Sequence, residues 1–304
     1  LGELLKKAKI PVIIVICGLL LLPLLLKSSS MEDQKATWLW DTELIKDPGK
    51  IIAFCREQNV GTIFLQVQKK VSDEDYRRFI AAAYEEGIAV HALDGQPDWA
   101  YERQSREADQ FLQWVFDYNA KAAPSEKFTG IQLDVEPYQL RRWQRDQDGV
   151  VREWSSNVEK WVAQGKEKGL YMSAAVPFWL GNVKDANGSG NLSRWMISQF
   201  DAVAVMSYRD SGRKIYDVAR EQLDEADQLG KSVWIGMELG DTEEGSHITF
   251  FGKAVPVMEE EMKSVNSLGD SHPSFAGLAV HHYEIWQDKI ASAASDEKPE
   301  KSNQ

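Results

Sequence analysis

The chain holds only two cysteines among its 304 residues, Cys17 and Cys55. Cys17 lies in an apolar N-terminal run and Cys55 is alone in the remainder, so no disulfide can form within the body of the protein in any compartment. Cys17 is no lipid-attachment site, because Ile16 precedes it where a small residue is wanted. Cys55, in an apolar helical pattern, reads as a small core residue. Histidine is also scarce, at five. Neither His-x-His at the first strand nor His-Glu-x-x-His occurs, so a zinc hydrolase lacks its usual ligand spacing and no metal or cofactor is expected. No Gly-x-Gly-x-x-Gly loop follows the first apolar strand, where Trp40, Asp41 and Thr42 stand, and this places a doubly wound nucleotide fold second. Basic charge is short as well. Lys plus Arg is 35 against 47 for Asp plus Glu, a net charge of -12, which argues against nucleic acid or an anionic lipid surface as a general partner.

What the sequence does have is 43% hydrophobic residues, enough to bury a sizeable core, and a distinct N-terminal segment. Lys6, Lys7 and Lys9 precede an apolar run over 10–26, broken by Pro11, Gly18 and Pro23, and a hydrophilic stretch follows it. The run is long for the ~7–15 residues of a secretory signal core and at the lower edge of the ~17–25 of a spanning helix. Residues 1–35 therefore read as a signal peptide, cut after Ser30, or as a retained signal-anchor helix with a linker. The basic flank predicts N-terminus in and domain out, either membrane-anchored (type II) or secreted, and extracytoplasmic in both cases. Without residues 1–35 the remainder carries -14. Residues 291–304, rich in Ser, Lys and Glu without an apolar period, read as a disordered tail.

Between these ends, over 36–290, short apolar runs alternate with amphipathic ones. Strands are predicted at 37–41, 62–67, 89–94, 130–136, 171–176, 202–206, 232–238 and 276–282. Helical patterns lie between them at 48–58, 73–86, 105–121, 150–168, 192–199, 215–229 and 255–268, with Asp47-Pro48 as a start signal and Gly87 and Gly169 as stops. Strict alternation implies a parallel sheet, and eight units in this length predict a single α/β domain, a (β/α)8 TIM barrel. Chemistry then belongs at the C-terminal ends of the strands, where Asp41, Gln66, Asp94, Asp134, Glu136, Tyr208, Glu238, His281 and His282 collect.

The sharpest segment is Phe128-Thr129-Gly130-Ile131-Gln132-Leu133-Asp134-Val135-Glu136-Pro137-Tyr138. Strand side chains alternate, so Gln132, Asp134 and Glu136 share the inner face while Ile131, Leu133 and Val135 pack outward. Two carboxyls buried side by side raise the pKa of at least one of them, and a carboxyl kept protonated near neutral pH suits a general acid.

This segment resembles the fourth-strand signature of glycoside hydrolase family 18, the chitinase and peptidoglycan-lytic glucosaminidase family, Phe-Asp-Gly-Ile-Asp-Ile-Asp-Trp-Glu. Ala204-Val205-Met206-Ser207-Tyr208 resembles its sixth-strand Met-Thr-Tyr-Asp element. The resemblance implies a barrel glycosidase in which Glu136 protonates the leaving oxygen, Asp134 orients a substrate acetamido group, and Tyr208 hydrogen-bonds the same group. Substrate assistance then removes the need for a protein nucleophile. Trp286 would correspond to the family's sugar-stacking tryptophan. Thr129, Gln132, Val135 and Arg209 depart from the pattern, standing where the family has Asp, Asp, Trp and Asp. The chain from Trp38 to Trp286 also resembles bacterial glycoside-hydrolase-like barrels that carry Leu-Asp-Gly-x-Pro-x-Trp and Asp-Val-Glu-Pro-Tyr, here beginning at Leu93 and Asp134.

Three alternatives remain. Glu238, closing the seventh strand, would act as nucleophile in a retaining pair with Glu136 if the carboxyls stood ~5–5.5 Å apart. His91, His281 and His282 could join Asp134 and Glu136 at an ion. A non-catalytic, surface-tethered glycan-binding barrel is the reading from another class. Aromatics favour carbohydrate under every reading but the metal one. There are eleven Trp, and Trp38, Trp40, Trp99, Trp179 and Trp286 fall on the expected rim, whereas Trp114, Trp154 and Trp161 lie in helical patterns and suit packing. With Tyr283, Trp40, Gln66, Asp94, Trp179, Glu238, His281 and Trp286 make up the expected sugar-binding set. An amino-sugar polysaccharide such as peptidoglycan or an exopolysaccharide is the expected substrate and partner.

Overall fold

The computed structural model describes residues 34–296. The apolar run expected to target or anchor the chain lies outside them, and no helix among the described residues is long and apolar enough to cross a membrane. Eight parallel strands close into a barrel in sequence order: β1 (Lys35–Leu39), β2 (Val60–Gln66), β3 (Ala89–Asp94), β4 (Gly130–Leu133), β5 (Tyr171–Pro177), β6 (Ala202–Met206), β7 (Ser232–Glu238) and β8 (Phe275–His281). β8 returns to β1 through Lys35 opposite Leu278 and Thr37 opposite Val280. The helices α1 (Pro48–Glu57), α2 (Asp73–Glu85), α3 (Ser105–Lys121), α4 (Gln147–Glu167), α5 (Leu192–Gln199), α6 (Gly212–Leu229), α7 (Val255–Gly269) and α8 (Tyr283–Asp296) follow the strands in turn. α8 runs to Asp296, six residues into the segment that composition assigns to a tail, and the rest of that segment lies outside the described residues.

Strand alternation divides the apolar side chains into two sets. Ile63, Leu65, Ile131, Leu133, Val203, Val205 and Ile235 belong to the continuous core between sheet and helices. Ala36, Trp38, Phe64, Leu93, Ala202, Ala204, Trp234 and Ala279 form a second core inside the barrel. The small residues there leave volume for three large rings, which is how a barrel interior reaches the density of a packed solid.

β4 ends at Leu133, short of the expected 136. The chain stays beside β3 for one more residue, since the Asp134 amide donates to the Asp94 carbonyl at 3.1 Å. Pro137, which has no amide hydrogen, then opens a short 3-10 turn over Pro137–Gln139. Close approach at this point requires glycine: a Cβ on Gly95 would stand 1.9 Å from the Asp134 carbonyl oxygen.

Candidate active site

The alternation in the fourth-strand segment carries past the strand's end. Leu133 and Val135 are buried in the outer core, while Asp134 and Glu136 are half-buried at the mouth. Beneath them Gln132 is fully buried, its Oε1 accepting a hydrogen bond from Ser173 Oγ. Burial, then the neighbouring Glu136 charge, pushes the Asp134 carboxyl up to about 7. Its Oδ1 is buried with no hydrogen-bond partner among the described residues. Glu136 accepts from the Tyr138 hydroxyl at Oε1 (2.5 Å) and from the Gln139 side chain at Oε2. Near neutral pH a proton is thus held at this pair, and the carboxyl that burial keeps protonated is Asp134.

Tyr208, just beyond β6, faces the same mouth. Burial comes first, and then the charges of Glu238, Asp134 and Glu136 hold its phenol well above its ordinary pKa, so it remains a proton-bearing donor. Gly236 on β7 makes room for the ring, since a Cβ there would lie 3.0 Å from Tyr208 Cε1 and 2.5 Å from the Val205 carbonyl. Tyr138 meets Trp179 edge to face, with ring centroids 4.9 Å apart. Glu136, Tyr138, Phe178, Trp179, Tyr208 and Arg209 line one cleft of about 320 Å³ at this end of the barrel.

Glu238 and His281 form a second polar group on the rim. His281 Nδ1 lies 2.7 Å from Glu238 Oε2, and the Trp40 indole donates to His281 Nε2 at 3.1 Å. Indole is only a donor, so Nε2 accepts and the imidazole proton sits on Nδ1, pointing at Glu238. Burial alone would raise the Glu238 pKa, but the His281 hydrogen bond and the Gly240 amide bring it below its ordinary value. Both Glu238 oxygens are engaged, which makes it a fixed anion that orients His281 and, through it, Trp40. Glu284 carries the same arrangement further. It accepts from the Trp40 and Asp41 amides at 3.0 and 2.6 Å and pairs with His282 at 2.5 Å. Glu284 carried no signal in the sequence, because its role depends on the return of β8 beside β1.

Other expected residues fall elsewhere. Gln66 donates to Asp94 Oδ1 at 3.0 Å, and Asp94, which burial holds above its ordinary pKa, lines a separate cleft with Val67, Lys69, Trp99, Glu107 and Trp114. Asp41 is exposed and caps the turn that follows it. Trp286 and Tyr283 are corrections to the sugar-binding set. They are 0% and 2% exposed, and both meet Phe54 of α1 edge to face, at 5.1 and 5.3 Å, because the first turns of α8 face inward to seal the seam of the barrel. Trp38 and Trp99 are buried too, which leaves Trp40 and Trp179 as the half-exposed members of the expected rim set. The Glu-Pro-Tyr triplet carries the signal for Tyr138, whereas Gln139 and Phe178 join the cleft with no motif to mark them.

The grouping of histidines with Asp134 and Glu136 at an ion does not form. His91 is buried inside the barrel between Phe64 and Tyr171, with its pKa lowered to about 4 by burial. His281 and His282 are engaged as described. Among the described residues, ligand-like spacing occurs only at Asp224, Asp227 and His272, on α6 and the loop before β8. There His272 already bonds Asp227 at 2.8 Å and Tyr216 at 3.0 Å.

No protein-family model and no curated protein matches this sequence. Its fold is similar to solved structures. The C-terminal domain of a putative chitinase from Desulfitobacterium hafniense matches with a TM-score of 0.56 at 10% identity, over 87% of this chain and 99% of that one. The PgaB (BpsB) glycoside hydrolase domain from Bordetella bronchiseptica matches at 0.52 and 10%, over 86% and 97%. A chitinase from Bacteroides thetaiotaomicron matches at 0.51 and 13%, over 90% and 98%. At these identities the likeness establishes the barrel architecture and leaves the chemistry to the site itself.

Proposed function

We propose that the protein is an extracytoplasmic glycoside hydrolase that cleaves an amino-sugar polysaccharide, such as peptidoglycan or an exopolysaccharide, with Glu136 as proton donor. The observation that carries this reading is the Asp134–Glu136 pair at the mouth of the barrel. It holds a proton near neutral pH and stands in a cleft walled by Trp179, Tyr138 and Tyr208. The proton that the pair holds on Asp134 would shift to Glu136 once the sugar displaces Gln139, and Glu136 would pass it to the glycosidic oxygen as the C1–O bond breaks, leaving Asp134 ionised. The acetamido carbonyl oxygen of the substrate would close on C1, and a water that gives a proton to Glu136 would then break that new bond and leave the hydroxyl on C1. Asp134, in its ionised form, would hold the acetamido N–H, and the Tyr208 hydroxyl would donate to the acetamido oxygen. Extracytoplasmic placement is supported by the lysine-flanked apolar run over 10–26, and the sequence leaves both anchored and secreted forms open.

The test is reducing-end release from a panel of polysaccharides. N-acetylhexosamine polymers should be cut, and glucans of equal length, which carry no acetamido group, should not. Tyr208→Phe removes one preorganised donor and should lower kcat/KM on the released substrate by about 10²-fold. Equal rates on both polymer classes would remove the acetamido step, and absence of release throughout would remove the hydrolase.

A further inference from the structure

Among the described residues, Arg209 is the one cation lining the cleft that also contains Glu136. Its guanidinium lies 4.5 Å from the centroid of the Phe178 ring, held by a cation–π contact. Nη1 donates to the Tyr208 carbonyl at 2.6 Å, which is the only hydrogen bond the guanidinium makes among the described residues. No carboxylate among those residues lies within ion-pair distance, although Glu136 and Glu244 line the same cleft and the protein is rich in acids. The nearby Asp210 is taken instead by Lys214 at 2.9 Å. A half-buried cation that is fixed by a ring and a carbonyl, yet unpaired in an acidic protein, presents donors to whatever enters the cleft. Guanidinium matches a carboxylate in a planar, two-point fashion, which a lysine cannot do.

We infer that Arg209 selects a glycan bearing a carboxylate on a sugar beside the one held at Glu136, either a uronate or a lactyl ether carboxylate. This inference rests on the glycan reading of the site and narrows its substrate class. The Glu136 and Glu238 carboxyls disfavour such a group beside them. Arg209 therefore also sets register, placing the anionic sugar at Phe178 and a neutral one over the carboxyl pair.

The test uses the full-length Glu136→Gln protein, so that binding is read without cleavage. The probes are peptide-free peptidoglycan strands, in which alternate sugars carry a lactyl carboxylate, and an alternating hexosamine–uronate oligosaccharide. Each is paired with a twin whose carboxylates have been reduced to alcohols. One carboxylated probe should bind about tenfold or more tighter than its twin, the worth of a charge-assisted two-point contact, and the probe that does so identifies the source of the carboxylate. Adding Arg209→Gln should bring that ratio within about twofold, whereas Arg209→Lys, which keeps the charge and loses the fork, should retain part of it. A ratio near one with Arg209 intact, or a ratio that survives Arg209→Gln, overturns the inference. If the native protein also cuts both twins equally, the hydrolase stands without its carboxylate selectivity. If neither twin of either probe is bound, both readings fall.

Discussion

Asp134→Asn should change the pH dependence of stability by roughly 4 kcal/mol, at about 1.36 kcal/mol per pKa unit. Burial, and then Glu136, raise the Asp134 carboxyl from its ordinary 3.8 to about 7. Between those values the folded protein binds a proton that the unfolded chain does not. The stability associated with that proton is complete below about pH 4 and is lost as pH rises through about 7. Other carboxyls, Glu238 among them, are lowered and act in the opposite sense at acid pH, so the quantity to measure is the difference between the two proteins. Urea unfolding at half-unit steps from pH 4 to 8.5 should show the asparagine variant gaining steadily on the native protein until the difference levels off above pH 7. Parallel curves would mean that Asp134 is not the carboxyl under strain. The gain comes with lost function, since asparagine cannot offer an anion to the acetamido N–H.

Trp286→Ala should destabilise the fold by about 3–5 kcal/mol, the usual result of removing a fully buried aromatic ring. Trp286 is 0% exposed and packs its edge on Phe54, with Tyr283 beside it on the same α1 ring. The loss should therefore appear as a fall of roughly 10 °C in Tm, with glycan affinity below the transition unchanged within about twofold. A variant that kept its Tm and lost affinity would return Trp286 to the cleft.

The contrast between these residues shows what the sequence could reveal. Asp134 and Glu136 were legible because a period of two, running through Ile131, Leu133 and Val135, fixes which side chains face the barrel axis even past the last ladder bond. The eight strands were legible as short apolar runs between amphipathic helical patterns, and β3, β6 and β7 coincide with the predicted spans. Trp286 was not, because position after the last strand says nothing about which face of α8 turns inward, and the seam between α8 and α1 joins residues far apart in the chain. The expected tail hid that helix. The six residues that α8 takes from it, Ala291-Ser292-Ala293-Ala294-Ser295-Asp296, are small or polar, and such residues suit the exposed end of a helix as well as a disordered one. His281 lies at a strand end as expected, but its tautomer depends on Trp40, just past β1, and on Glu238 of β7, which meet it only when the sheet closes. Arg209 stood out as a departure from a resembled motif, and its lack of an ionic partner became visible only once Phe178 and Tyr208 were in place.

The most direct measurement is reducing-end release from N-acetylhexosamine polymers by the native protein and by Glu136→Gln, side by side at one pH. Glutamine preserves shape and cannot donate the proton, so kcat/KM should fall by about 10²–10⁴-fold while retention on the same polymer stays within about threefold. Release at equal rates by both proteins would contradict the assignment of Glu136 as the acid. Equal retention with no release by either would show that the barrel binds glycan without cutting it.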